Sequence, residues 1–150
     1  MFSVRLLPWL LLPWLAGCSD LRATFEIDGS SHSLSLIRTT GMPWAKSAEY
    51  SIVASRMPDC TRRHVLSKAS LNARVEVFSP GNNAWVLKQN ERMYVVETRT
   101  CEGFARLNTP PEGGLGTLMG SFEMQDGALI FRTAPKIDQS SSPAPSTPPG

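Results

Sequence analysis

The sequence predicts a mostly β protein, a single small antiparallel sandwich or barrel of about seven to nine strands. Three observations carry that expectation. Apolar and polar side chains alternate with a period of two through most of residues 21–131. Clusters of turn-forming residues interrupt the alternation about every 8 to 12 residues, the spacing of short strands in sandwiches and barrels. The chain beyond residue 17 is long enough for one domain with a hydrophobic core and too short for two comfortable ones.

The elements follow in order. Leu21, Ala23, Phe25 and Ile27 alternate with Arg22, Thr24, Glu26 and Asp28, a half-buried strand. Asp28-Gly29 is a hairpin signal, and residues 33–38 return with Leu34 and Leu36 on one face. Gly41-Met42-Pro43-Trp44 breaks the pattern as a loop. Tyr50, Ile52 and Ala54 begin another strand, ended by Met57-Pro58-Asp59. From Val65 to Val77 the odd positions Val65, Ala69, Leu71, Ala73, Val75 and Val77 are mostly apolar, and His64, Lys68 and Arg74 fall on the other face. This predicts one long bent strand or two strands broken near Ser70, with a short helix over 66–73 as the alternative.

Ser79-Pro80-Gly81-Asn82-Asn83 is dense turn chemistry. Residues 85–88 and 93–98 make the next two strands around a tight turn at Gln89-Asn90-Glu91. Met93-Tyr94-Val95-Val96 is apolar on both faces, which suggests a central place in a sheet. Residues 108–116, with two prolines and three glycines, form the longest internal loop. Leu118, Phe122 and Met124 then lead through Gln125-Asp126-Gly127 into Leu129 and Phe131, a final hairpin. Residues 136–150 are Pro- and Ser-rich without periodicity, too poor in apolar surface to offset their ordering entropy, and are expected to be disordered.

The N-terminus has a different character. Residues 1–5 carry one positive charge, Arg5, and residues 6–16 are uncharged and rich in Leu and Trp. A charged start, a short apolar run and a small-residue ending describe a secretory signal peptide, here residues 1–17. The run is too short to span a bilayer as a helix, which takes about 20 apolar residues, and Pro8 and Pro13 count against such a helix as well.

Leu15-Ala16-Gly17-Cys18 resembles the lipobox of bacterial lipoproteins. The resemblance implies that the signal is cut before Cys18, that its thiol and new amino group receive acyl chains, and that the domain at 18–135 is anchored to membrane through them. Each buried methylene of such chains contributes about 0.8 kcal/mol, so several chains make a lasting anchor. Ser19 stands where an aspartate marks inner-membrane retention in enterobacterial lipoproteins, so the resemblance implies the outer membrane of a bacterial cell envelope, on its periplasmic side. The first strand begins so soon after Cys18 that little tether remains, and the domain is expected to lie close against the bilayer.

Cys60 and Cys101 are then an even pair in an exported chain, most simply a disulfide because the periplasm is oxidising. No C-x-x-C spacing supports a redox pair. The charge balance, 15 Lys and Arg against 13 Asp and Glu, lacks the basic excess of a dedicated nucleic-acid binder.

Catalytic, metal-binding and cofactor-binding sets are not recognisable. His32 and His64 are far apart in sequence, a disulfide consumes Cys60, and Met42, Met57 and Met93 are scattered as packing residues are. Glu97 and Glu102 stand at an odd offset, on opposite faces of any strand that holds both. No phosphate-binding Gly-rich loop or G-x-S-x-G elbow occurs. The one local charge asymmetry runs from Arg56 to Arg74, where Arg56, Arg62, Arg63, Lys68 and Arg74 meet a single acid, Asp59. Arg62, Arg63 and His64 are therefore candidate binding residues for an anionic lipid or an acidic protein partner, set against an ordinary solvated cationic face. Trp44, beside Pro43 in a loop, is the other candidate contact, whereas Trp85 reads as strand core.

The expected function is a non-enzymatic, lipid-anchored envelope protein that binds an envelope component or partner near the membrane. An inhibitor or immunity-type lipoprotein acting on a periplasmic hydrolase is the first alternative. Bacterial lysozyme inhibitors are similar in general kind, being small, exported, β-rich and disulfide-linked, and the loop at 108–116 would be the inhibitory segment. An enzyme with an unrecognised site is the second.

Overall fold

The computed structural model describes residues 19–135, so the expected signal peptide, Cys18 and the expected tail at 136–150 lie outside the described residues. Residues 19–135 fold as eleven strands in two antiparallel sheets, without a helix. The first sheet is a meander of β1 (Ser19–Asp28), β2 (His32–Thr40), β3 (Ser47–Arg56) and β4 (Cys60–Val65), with β5 (Ala69–Ser70) pairing the start of β3. The second holds β6 (Val75–Gly81), β7 (Ala84–Gln89), β8 (Arg92–Glu97), β9 (Phe104–Leu107), β10 (Thr117–Gln125) and β11 (Ala128–Thr133), in the spatial order β11-β10-β6-β7-β8-β9. Eleven exceeds the expected seven to nine because β5 has 2 residues and β9 has 4, too few to show an alternation.

The two sheets bury the faces that the alternation marks. Ala23 and Phe25 of β1, Leu34 and Leu36 of β2, and Tyr50, Ile52 and Ala54 of β3 meet Val75, Val77, Trp85, Leu87, Val96 and Phe122 of the facing sheet. Along one seam Phe25 stacks on Phe131 at 4.6 Å between centroids and meets the edge of Trp85 at 5.6 Å. Along the other, His64 of β4 stacks on Phe104 of β9 at 4.7 Å, and the Cys60–Cys101 disulfide ties β4 to the loop after β8. The Tyr94 hydroxyl donates to Ser67 Oγ at 2.7 Å and accepts the Ser67 N–H, which fixes the segment between β4 and β5.

The region 65–77 is broken near Ser70 rather than one bent strand or a helix: β4 stops at Val65, β5 is a two-residue bridge that ends at Ser70, and β6 starts at Val75. The expected parity around Val65 changes. Val65 points outward, 71 % exposed, and His64 and Leu66 point in. The parity is set from Cys60, which must face the opposite sheet to form its bridge, so even positions are inward on β4. β8 lies inside its sheet, between β7 and β9, as its apolar run suggests. Its outer residue Val95 joins a cross-strand row on the solvent face, Leu118-Phe78-Val86-Val95-Ala105, in which each side chain covers its neighbours.

The loop at 108–116 connects β9 at one edge to β10 beyond β6. It must cross four strand spacings, about 19 Å, which explains its length. Gly116 ends it in a left-handed conformation, φ 87°, and a Cβ there would lie 2.2 Å from the Ser79 carbonyl oxygen, so only glycine lets the loop close on β6.

Candidate functional site

The residues singled out by sequence do not form one group. On β4, Arg62 pairs with Ala54 and Arg63 with Val53, far along β3 from its start at Ser47. Trp44 lies in the loop that precedes Ser47, and seven residues of strand put about 23 Å between the two regions. The cationic cluster is dispersed too. Arg62 donates to Glu102 Oε1 at 2.9 Å, Lys68 lies 3.7 Å from Glu49, and Arg74 lies 3.8 Å from Glu123. Folding brings each an acid from elsewhere in the chain, which local counting around Asp59 does not reveal. Arg63 sits on the outer face with Nε donating to Ser51 Oγ at 2.8 Å.

His64 is a packing residue. It is buried, and its Nε2 donates to the Cys101 carbonyl at 2.8 Å beneath the Phe104 ring. His32 is likewise inside, its Nε2 donating to Thr98 Oγ1 at 2.8 Å. That hydroxyl also accepts Trp85 Nε1–H and passes its own proton to the Asn83 carbonyl. The two histidines therefore serve separate seams. Among the described residues no three His, Cys, Asp or Glu side chains gather as a metal would require. Glu102 lies in a loop rather than on a strand, and Glu97 ends β8, where it accepts N–H groups from Arg99 and Thr100 and the Thr100 hydroxyl.

These bonds set the pH response of the fold. Burial, and then the nearby Arg56 charge, push His32 below its ordinary 6.5. Burial raises Glu97, but bonds from Thr100 and Arg99 outweigh it and hold the carboxyl below its ordinary 4.5. The Arg132 hydrogen bond, against a smaller burial penalty, holds Glu123 below 4.5 as well. Between a lowered native value and the ordinary one, the unfolded chain binds more protons, so stability falls as pH falls. The urea midpoint is expected to decline in two stages, one beginning near pH 6.5 and one near 4.5. His32→Gln should remove the upper stage and leave the lower. A midpoint unchanged from pH 7.5 to 5.5 would refute the His32 account.

Two of the five exposed large hydrophobic residues among the described residues share the other end of the sandwich. Ser19 pairs with Thr40, so the start of β1 and the end of β2 are side by side. The loop at 41–46 follows at once, with Trp44 77 % exposed and Met42 55 % exposed. Met57, the other exposed methionine, marks the far end, so neither Met42 nor Met57 is the packing residue that sequence suggests. Two clefts flank the loop at 41–46 and share Met42 and Ala45. One is lined by Thr39, Ser47, Glu49 and Lys68, the other by Ser19, Arg38, Thr40, Pro43 and Leu71.

Arg38 is the residue that sequence reasoning passes over. It continues the inner face of β2 after Leu34 and Leu36, between Leu21 of β1 and Tyr50 of β3, and only 8 % of its surface is exposed. Tyr50 beside it is buried, which pushes its phenol above the ordinary value against the pull of the Arg38 charge, a backbone bond from Ala73 and a side-chain hydrogen bond with Arg38. The Tyr50 hydroxyl donates to the Ser70 carbonyl at 2.8 Å, shared with that of Leu71 at 3.1 Å. Comparison with protein-family models, curated proteins and solved structures finds no match.

Proposed function

We propose that this chain is a non-enzymatic lipoprotein of the bacterial envelope, acylated at Cys18, with the loop at 41–46 seated on the bilayer surface. One observation carries the reading: Ser19, the residue after the lipobox cysteine, is paired with Thr40 at the same end that presents Trp44 and Met42. An anchor at residue 18 leaves no tether, so it brings this end of the sandwich, and no other, to the membrane. Tryptophan suits that place because its ring is apolar and its N–H finds partners among head groups. No helix among the described residues is long and apolar enough to cross a membrane.

The far end, with Arg62 and Arg63, then faces away from the bilayer. This favours an acidic protein partner over anionic lipid as the contact of those arginines. Outer-membrane sorting, on the periplasmic side, follows the lipoprotein resemblance at Ser19.

Intact mass of the protein from the membrane fraction tests the reading. A chain that begins at Cys18 and carries acyl chains, with no alkylation of Cys60 or Cys101 until reductant is added, is the expected result. A mature chain without lipid would overturn it.

A further inference from the structure

The cleft beside the loop at 41–46 holds a buried positive charge that no described acid neutralises. A guanidinium out of water is costly unless it is paired and hydrogen-bonded. Arg62, Arg74 and Arg132 are largely exposed and each has a glutamate, whereas Arg38 is buried and belongs to none of the four ion pairs among the described residues. A side-chain hydrogen bond joins Arg38 to Tyr50, but its Nε lacks a hydrogen-bond partner, and so does the buried hydroxyl oxygen of Thr40, two positions along the same face. Both residues line a cleft of about 370 Å³ together with Ser19, Met42, Pro43, Ala45 and Leu71, and none of these is acidic.

A buried guanidinium with a neighbouring hydroxyl suits a tetrahedral oxyanion, whose oxygens accept from both. The remaining walls are apolar, from Met42, Pro43, Ala45 and Leu71, which favours an esterified phosphate with a carbon substituent over a fully hydrated ion. We infer that Arg38 and Thr40 form a phosphate-binding site, filled at the membrane by a phospholipid head group. Only this source of the phosphate rests on the bilayer-facing reading above; the site itself does not. The phosphate supplies the counter-charge that Arg38 lacks among the described acids and fixes the height of the domain on the bilayer.

The test uses the full chain in a phosphate-free sugar detergent. Calorimetric titrations with inorganic phosphate, a short-chain phosphatidylglycerol and a short-chain galactolipid of matched acyl length separate the sources. The short-chain phosphatidylglycerol is expected to bind, and the galactolipid is expected not to. Arg38→Leu and Thr40→Val should each weaken the phospholipid about tenfold or more, the loss of one charge-assisted hydrogen bond. Binding of inorganic phosphate as tightly as the phospholipid would keep the site and assign it to free phosphate. Equal binding of phospholipid and galactolipid, or no binding of either phosphate compound, would overturn the site on the wild-type chain alone, whether or not Arg38→Leu folds. Thr40→Val replaces a partly exposed residue by an isostere and keeps the variant comparison open. The anchor takes no part in these titrations, so a chain found without acyl groups at Cys18 defeats the proposed function and leaves this result standing.

Discussion

A chain carrying both Cys60→Ala and Cys101→Ala is expected to lose about 4 kcal/mol of stability, read as a lower urea midpoint with a steeper slope, because the unbridged unfolded chain is less compact. The bridge spans 41 residues, and opening it returns to the unfolded chain the freedom that closing a loop of that length removes. For a domain whose whole stability is about 5 to 15 kcal/mol, this is the largest single covalent contribution available. The native side of the balance points the same way. Cys101 is buried, its carbonyl accepts from His64, and the loop that holds it is organised by the Glu97 carboxylate. Without the bridge, amide exchange should accelerate first at residues 98–103 and along β4. A loss below about 1 kcal/mol would show that the Phe104–His64 stack and the His64–Cys101 bond close this seam by themselves.

The fold was legible where one face of a strand is buried and the other is wet. On β1 and β2 the alternation of Ala23, Phe25, Leu34 and Leu36 with polar residues is the packing itself, and the hairpin at Gly29 follows from its turn residues. Legibility failed where parity is set from outside the strand. On β4 a count from Val65, the obvious apolar residue, turns His64 to solvent. A count from Cys60, whose bridge fixes the inward face, buries His64 and Leu66 as found. β9 is absent from the sequence reading because Phe104 is its one large inward residue, and its partner ring is His64, a side chain that reads as surface.

The same habit hides Arg38. By parity it belongs with Leu34 and Leu36, but a basic residue near a strand end is read as solvated. Arg62 and Arg63 drew attention because they are adjacent in sequence, and adjacency on a strand sends them to opposite faces. The residues at the end that carries Trp44 are drawn instead from β1, β2, the loop at 41–46 and Leu71, which the pairing of Ser19 with Thr40 helps bring together. Trp44 was legible because an aromatic beside a proline in a loop has no core to enter.

The proposed anchor predicts that Cys18→Ser, made behind an ordinary cleaved export signal in place of residues 1–17, moves the protein out of the tightly bound membrane fraction. Several acyl chains hold a protein irreversibly on the time scale of a wash, whereas a single myristoyl chain binds with a constant of only about 10⁴ M⁻¹ and a loop without chains has less apolar length than that. What binding remains should depend on Trp44. Burying that ring at the interface contributes about 2 kcal/mol, so Trp44→Ala on the Cys18→Ser background is expected to lower vesicle partitioning about thirtyfold. Because Trp85 is in the core, its fluorescence should not shift on addition of vesicles, and quenching by brominated lipid should vanish with Trp44. Trp44→Ala with Cys18 intact should leave the protein in the membrane fraction, since the chains dominate. If Trp44→Ala leaves partitioning of the Cys18→Ser chain unchanged, the anchor holds the domain in some other attitude. If Cys18→Ser remains tightly bound, the acyl chains are not what holds it.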